Sequence, residues 1–295
     1  MYNFRTDMAD ERVDIYKASH DMDGEVSGIR SSKNVINEHI EQNIVDVLNN
    51  EAEKYIGKVK GRYITFDLKD LMYASYDEVE ETAKIISKDL KKLVDEKIKN
   101  STGDILIVGL GNQFSTPDSL GPKVISEIEI TRHLKKYAPQ YLNNNTKTIS
   151  AIAPGVLGTT GIESIEIIRG IVDNIKPDVI IAIDSLASKS IKRISSSIQM
   201  CNTGIIPGSG VDNKRCELSE VTLGVPVISI GVPMVVDLET ILDECINTTK
   251  TNSNREKIKS AFVSENLNMV VTPKEIDDMV ENMKCIVAKC INYAL

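Results

Sequence analysis

Between residues 104 and 240, short apolar runs alternate with stretches of helical periodicity. The runs at 105–110, 148–153, 179–183 and 226–231 have the continuous apolar character of strands buried on both faces. Residues 121–134 read as a helix between the first two runs. Ile162, Ile165, Ile168, Ile171, Val172 and Ile175 mark another, which Lys176-Pro177 ends. Strands alternating with helices imply βαβ crossovers, and so an α/β fold: a mostly parallel twisted sheet with helices on both faces.

Upstream, the segment Gly61-Arg62-Tyr63-Ile64-Thr65-Phe66-Asp67 alternates like a strand. A helix follows, with Ser75 and Glu78 at capping-box spacing and Asp77, Glu80 and Glu81 at the positive end of its dipole. Val79, Ala83, Ile86, Leu90, Leu93 and Ile98 give it one apolar face. At the other end of the chain Thr272 is placed to cap a final helix, with Pro273 at its first position and Glu275 completing the box. Ile276, Met279, Met283, Ile286 and Cys290 form that helix's stripe. Residues 8–55 are polar and weakly periodic and read as irregular, and the polar stretch 247–259 reads as a linker or surface loop. No internal repeat is apparent, and residues 8–295 are assigned to a single α/β domain.

Composition narrows the function. The 295 residues are 41% hydrophobic and 26% charged but only 4% aromatic, without Trp, so the core must be aliphatic. The longest apolar runs, such as Val179-Ile180-Ile181-Ala182-Ile183, fall far short of the roughly 20 residues of a membrane span. The polar stretch from Arg5 to Glu11 does not fit a signal peptide, and a cytoplasmic, membrane-free protein is expected. Asp and Glu outnumber Lys and Arg by 43 to 35, a net charge of −8, which argues against direct nucleic-acid binding because phosphate neutralisation drives such contacts. The five Cys contain no Cys-x-x-Cys pair and the three His are scattered, so neither a metal site nor any cofactor is expected.

Ligands gather beyond the carboxyl ends of strands in open parallel sheets. Three segments reach that edge: 109–122, 153–161 and 183–187. Gly109-Leu110-Gly111 is not a dinucleotide fingerprint, since Phe114 stands where a third glycine belongs. Pro207-Gly208-Ser209-Gly210 is not a nucleophile elbow, since Pro207 replaces its first glycine. The glycine-rich stretch 203–215 ends in Lys214 and Arg215, the best local anion site, and is otherwise a tight connection between strands. His133 reads as a helix-surface residue. Two carboxylates remain. Asp184 ends an apolar strand, and Asp118 lies in the turn after the first strand of the block. Two carboxyls at close range in a partly dry cleft cannot both ionise easily, so the pair can work as acid and base.

At these residues the sequence resembles the germination proteases of spore-forming bacteria. The matching text includes Gly109-Leu110-Gly111-Asn112, Thr116-Pro117-Asp118, Thr131-Arg132-His133-Leu134, Ala153-Pro154-Gly155-Val156 and Gly158 with Thr160-Gly161-Ile162-Glu163. It continues through Ile183-Asp184-Ser185-Leu186-Ala187, Pro207-Gly208-Ser209-Gly210-Val211, Asn213-Lys214-Arg215, Thr222-Leu223-Gly224-Val225-Pro226 and Val271-Thr272-Pro273-Lys274-Glu275. The resemblance implies an atypical acid endopeptidase that degrades small acid-soluble spore proteins during germination in the spore core. It also implies a homotetramer with a fold like that of the hydrogenase maturation endopeptidases. Asp118 and Asp184 match the family's proposed catalytic pair, with Gly109, Asn112, Gly155, Gly208, Ser209, Lys214 and Arg215 supporting or binding substrate. Arg5-Thr6-Asp7-Met8-Ala9-Asp10-Glu11 resembles the family's self-cleavage site, which makes residues 1–7 a propeptide cut between Asp7 and Met8. Ile206 stands where the family commonly has His, and Asp7 where substrates usually have Glu. The alternatives are a metal-dependent peptidase using the same aspartates as ligands, or a non-catalytic anion-binding module. Read from its own residues alone, the amino-terminal segment is a polar terminus that would fray.

Overall fold

The apolar segments of the central block lie side by side as parallel strands, because each has two faces to bury. A computed structural model describes residues 5–69, 74–98, 102–143, 145–208, 216–249 and 269–295. Its strands are β1 (Ile29–Val35), β2 (Ile40–Val47), β3 (Gly61–Leu68), β4 (Asp104–Gly109), β5 (Thr148–Ile152), β6 (Val179–Ser188), β7 (Ser197–Cys201), β8 (Val227–Asp237) and β9 (Val270–Val271). Its α-helices are α1 (Ala9–Ser19), α2 (Asn50–Ile56), α3 (Tyr76–Asp95), α4 (Leu120–Ile125) and α5 (Arg132–Tyr137), then α6 (Leu157–Thr160), α7 (Ser164–Ile175), α8 (Glu220–Leu223), α9 (Leu238–Thr249) and α10 (Ile276–Ala294). No helix among the described residues is long and apolar enough to cross a membrane.

One sheet runs in the order β1-β2-β3-β7-β8-β6-β4-β5, with β9 on β8. Strands β5, β4, β6 and β8 are parallel, the expected α/β arrangement. The sheet carries in addition an antiparallel half, in which β7 pairs with β8 on one side and β3 on the other. Successive strand residues feed opposite faces. Ile105, Ile107, Ile181 and Ile183 enter a core shared with α3, α4 and α10, whereas Leu106, Val108, Ile180 and Ala182 pack beneath α7. A third cluster joins α1 and α2 to β1, β2, Tyr63 and Cys201. Helices therefore cover both faces. Helix α3 begins at the expected capping box, Ser75 N–H donating to Glu78 Oε2 at 2.7 Å.

Four expectations need correction. Residues 8–55 are not irregular: they form α1, β1, β2 and α2. The polar positions of β2 misled because they face partners rather than water, Gln42 donating to Asp89 at 2.7 Å and Asn43 to Asp67 at 2.9 Å. Residues 121–134 are two short helices, not one. Thr131 pulls the chain out of helix by donating to the Lys147 carbonyl at 2.6 Å and accepting from Ile149 N–H at 2.8 Å. Thr272 does not cap α10, because its hydroxyl donates to the Met234 carbonyl at 3.0 Å and the helix starts at Ile276. Finally, β6 and β8 run past the expected strand ends, to Ser188 and Asp237.

Helix α4 meets the end of β4 backbone to backbone. A Cβ on Gly121 would lie 2.2 Å from the Leu110 carbonyl oxygen, and one on Gly109 would lie 2.3 Å from the Gly121 oxygen. Neither carbonyl can step aside without shifting an element. Gly121→Ala is therefore expected to destabilise the fold by about 1–3 kcal/mol, the usual range for overpacking. Thermal unfolding followed by circular dichroism checks this; an unchanged midpoint would refute the contact.

Candidate active site

Asp184 continues the Ile180–Ala182 parity of β6, so it leaves the sheet on the α7 side just where the apolar stretch ends. It is 4% exposed, and its Oδ1 accepts from Ser185 N–H at 2.9 Å. Asp118 arrives from the neighbouring strand. Leu110 N–H donates to the Ile183 carbonyl at 2.8 Å, which keeps the ends of β4 and β6 level. The chain then turns at Gly111, where a φ of 112° and the closeness of the Asp118 carbonyl exclude other residues: a Cβ there would lie 2.1 Å from that oxygen. A 3₁₀ turn at Thr116–Asp118 returns the carboxylate so that Oδ2 accepts from Asn112 N–H at 2.9 Å. Asp118 and Asp184 line one cavity of about 230 Å³, together with Asp7, Ser115, Glu163 and Ser185. The Ser185 hydroxyl is buried there without a hydrogen-bond partner among the described residues.

The amino-terminal segment is seated against this cavity rather than frayed. Met8 and Ala9 are fully buried and Thr6 and Asp7 nearly so. Asp7 N–H donates to the Ala187 carbonyl at 2.8 Å, and Ala187 N–H donates back to Asp7 Oδ2 at 2.9 Å. Gln199 Nε2 donates to the Asp7 carbonyl at 3.1 Å, while Ala9 N–H donates to Gln199 Oε1 at 2.7 Å. Thr6 donates its hydroxyl to Glu11, whose Oε2 also accepts from Lys189 N–H at 2.7 Å. Burial pushes the Glu11 carboxyl above its ordinary value, against the opposing pull of Arg193 and these hydrogen bonds. Arg193 in turn grips Asp10 in a bidentate pair at 2.9 and 2.7 Å and reaches Asp67 at 2.7 Å. Asp7 also lines a second cavity of about 330 Å³ with Arg12, Lys58, Tyr63, Gln199 and Ile206. Desolvation there pushes the Lys58 amine below its ordinary value, with the Asp7 carboxylate acting against it.

The remaining candidates divide. Gly208 lines the cavity of the two aspartates. Asn112 supports Asp118 through its backbone, Gly109 packs on Gly121, and the Gly155 carbonyl accepts from the Ser164 hydroxyl at 2.9 Å, but none of the three lines that cavity. Ser209, Lys214 and Arg215 lie outside the described residues, as does most of the stretch 247–259. His133 is exposed on α5 and lines neither cavity. Sequence reasoning passes over Glu163, although it follows Thr160-Gly161-Ile162 in a family-like motif, and Gln199, whose one signal is a polar side chain between Ile198 and Met200. Among the described residues no three His, Cys, Asp or Glu side chains converge into a set that could hold a metal ion.

The family model Peptidase_A25, described as germination protease, matches residues 6–256. The chain belongs to the germination protease family. It is 43% identical over 316 residues to the germination protease of Clostridium acetobutylicum, covering 100% of this chain and 96% of that one. The germination protease of Caldanaerobacter subterraneus subsp. tengcongensis is 42% identical over 312 residues (99% and 94%), and that of Halalkalibacterium halodurans 33% over 353 residues (100% and 94%). Among solved structures, the [NiFe] hydrogenase maturation protease HycI of Thermococcus kodakarensis KOD1 aligns with 50% of this chain and 80% of its own, at 17% identity and a TM-score of 0.31. Membership of the germination proteases makes the chain an endopeptidase, a hydrolase of peptide bonds.

Arg193 is 15% exposed and carries the charge that three acidic side chains share. Arg193→Met is expected to remove about 2–4 kcal/mol, a little under the usual loss for a buried pair stripped of one partner. It should also free α1, so that limited proteolysis within residues 5–19 accelerates. Unchanged protection of that segment would show that Arg193 does not anchor it.

Proposed function

We propose that this germination protease initiates degradation of small acid-soluble spore proteins during germination in the spore core. In this reading it is made as a zymogen that cuts itself between Asp7 and Met8. Residues 1–7 are the propeptide, the mature chain assembles as a homotetramer, and Asp118 and Asp184 activate the attacking water. The observation that carries the reading is that Asp7, Asp118 and Asp184 line one cavity, with the Asp7 backbone held to Ala187 three residues beyond Asp184.

The chemistry follows from the pairing. The ionised carboxylate takes a proton as water attacks the carbonyl carbon, and the protonated one gives its proton to the departing nitrogen. A cavity at the end of an aliphatic strand suits this work, since a carboxyl beside apolar walls holds its proton more readily than one in water. Glu163 and Ser185 line the same cavity and in this reading help to orient the water or the substrate backbone.

Asp118→Asn and Asp184→Asn keep the shape of each side chain but remove its proton chemistry. Each should leave thermal unfolding nearly unchanged while slowing formation of a product that begins at Met8 by at least about 10²-fold. Amino-terminal mass spectrometry of the incubated protein reads this directly. Maturation of either variant at the rate of the unsubstituted chain would sink the two-aspartate reading. Exhaustive chelation is expected to leave processing intact, and its loss would favour the metal-dependent alternative.

A further inference from the structure

Gln199 sits on β7 between Ile198 and Met200, both of which enter the main core, so its side chain leaves the other face of the sheet toward α1. It is 7% exposed. A buried primary amide must find partners for both of its ends, and here both come from the amino-terminal segment. Nε2 donates to the carbonyl oxygen of Asp7 at 3.1 Å, and Oε1 accepts from the N–H of Ala9 at 2.7 Å. Backbone chemistry fixes the amide's orientation, because a carbonyl can only accept and an N–H can only donate. One side chain thus spans the Asp7-Met8 peptide bond. Asp7 lines both the cavity of Asp118 and Asp184 and the second cavity, which Gln199 lines as well.

We propose that Gln199 is a catalytic residue, whose Nε2–H stabilises the negative charge that develops on the carbonyl oxygen N-terminal to the cut. The proposal rests on the reading that Asp7-Met8 is the bond cleaved. A water oxygen bonds to the Asp7 carbonyl carbon, its proton passes to the ionised carboxylate of the aspartate pair, and the π electrons move onto the oxygen that Gln199 meets. Collapse of this species restores the carbonyl and breaks the C–N bond, while the other carboxyl protonates the nitrogen. Asp7 leaves as a carboxylic acid and Met8 as an amine. Gln199 neither gains nor loses a proton. Its bond to the carbonyl strengthens as charge grows there, which accelerates the step, whereas its bond to Ala9 is equal in ground and transition states and only positions the chain.

Two variants of the full chain test this. Gln199→Glu keeps size and the acceptor for Ala9 N–H but, once the pH is high enough to ionise it, removes the donor, and Gln199→Met keeps length and removes both. Self-processing is followed by amino-terminal mass spectrometry. Wild type and both variants, each produced as a chain beginning at Met8, are also assayed on a peptide spanning residues 5–11. Both variants should slow the appearance of the Met8 product by about 10²–10³-fold, the usual loss for one such donor. On the peptide the loss should fall in kcat, with KM within a few fold. If Gln199→Met fails to fold, the near-isosteric Gln199→Glu decides alone. A Met8 product formed by a folded Gln199→Glu protein at the wild-type rate, or a loss confined to KM, overturns the role of Gln199 and leaves the Asp7-Met8 reading standing. A wild-type product beginning at any other residue overturns that reading, and the proposal with it.

Discussion

The candidate site depends on a contact in which no side chain takes part: the backbone of Gly121 resting on the backbone of Gly109 and Leu110. Parallel strands bring loops to one edge but leave open where along that edge each loop returns. Here the return is forced. The first turn of α4 can approach β4 closely only because both contact positions lack a Cβ, and this holds the preceding 3₁₀ turn, and with it Asp118, against the end of the sheet. Asp184 needs less machinery, since it is the next residue of β6 after the apolar stretch ends. Its position follows from the level ends of β4 and β6 and from strand parity. The two carboxylates thus reach one cavity by different routes, one by backbone contact and one by register.

Holding residues 5–8 against that cavity is a separate problem. Ordering each residue's backbone costs about 1–2 kcal/mol. Burying the Met8 side chain returns only about 1.5–3 kcal/mol, too little for the stretch. The difference must come from the polar contacts, and these are distributed along the segment: Arg5 with Asp237 at 3.2 Å, Asp7 with Ala187, Thr6 with Glu11, and Asp10 with Arg193. A terminus held in this way is ordered by pairing with groups from β6, β7 and β8, and its own composition gives little sign of it.

That difference explains what was legible in the sequence. Helix α3 could be read because its cap and its apolar face are both local. The four parallel strands could be read because burial on two faces leaves a continuous apolar signature. Asp118 and Asp184 stood out because each follows such a strand. Of the antiparallel half only β3 could be read, from its alternation; β2 was hidden because it satisfies its polar residues with Asp89, Asp67 and Arg62 brought from elsewhere in the chain. The break between α4 and α5 was hidden for the same reason: Thr131 is compatible with a helix until Lys147 and Ile149, at the start of β5, offer it two better partners. Thr272 repeats the case at α10, where the Met234 carbonyl competes for the expected capping hydroxyl. Gln199 needed distant information too, since both of its partners lie about 190 positions away.

The antiparallel half is therefore more than an extension of an α/β core. A pair of carboxylates at the edge of a parallel sheet can activate water, but nothing in that arrangement holds an extended chain across them. Strand β7 supplies the hold. It pairs with β8 and so is fixed relative to β6 and Asp184, and it pairs with β3 and so is braced by the strands that carry α1 and α2. Its inner residues keep it in the main core, while Gln199, on the opposite face, takes hold of Asp7 and Ala9. The side that bears the acids and the side that grips the peptide are thus locked together through continuous hydrogen-bonded strands. Moving Asp184 relative to Gln199 would mean breaking the pairing of β6 and β7 with β8, the strand between them.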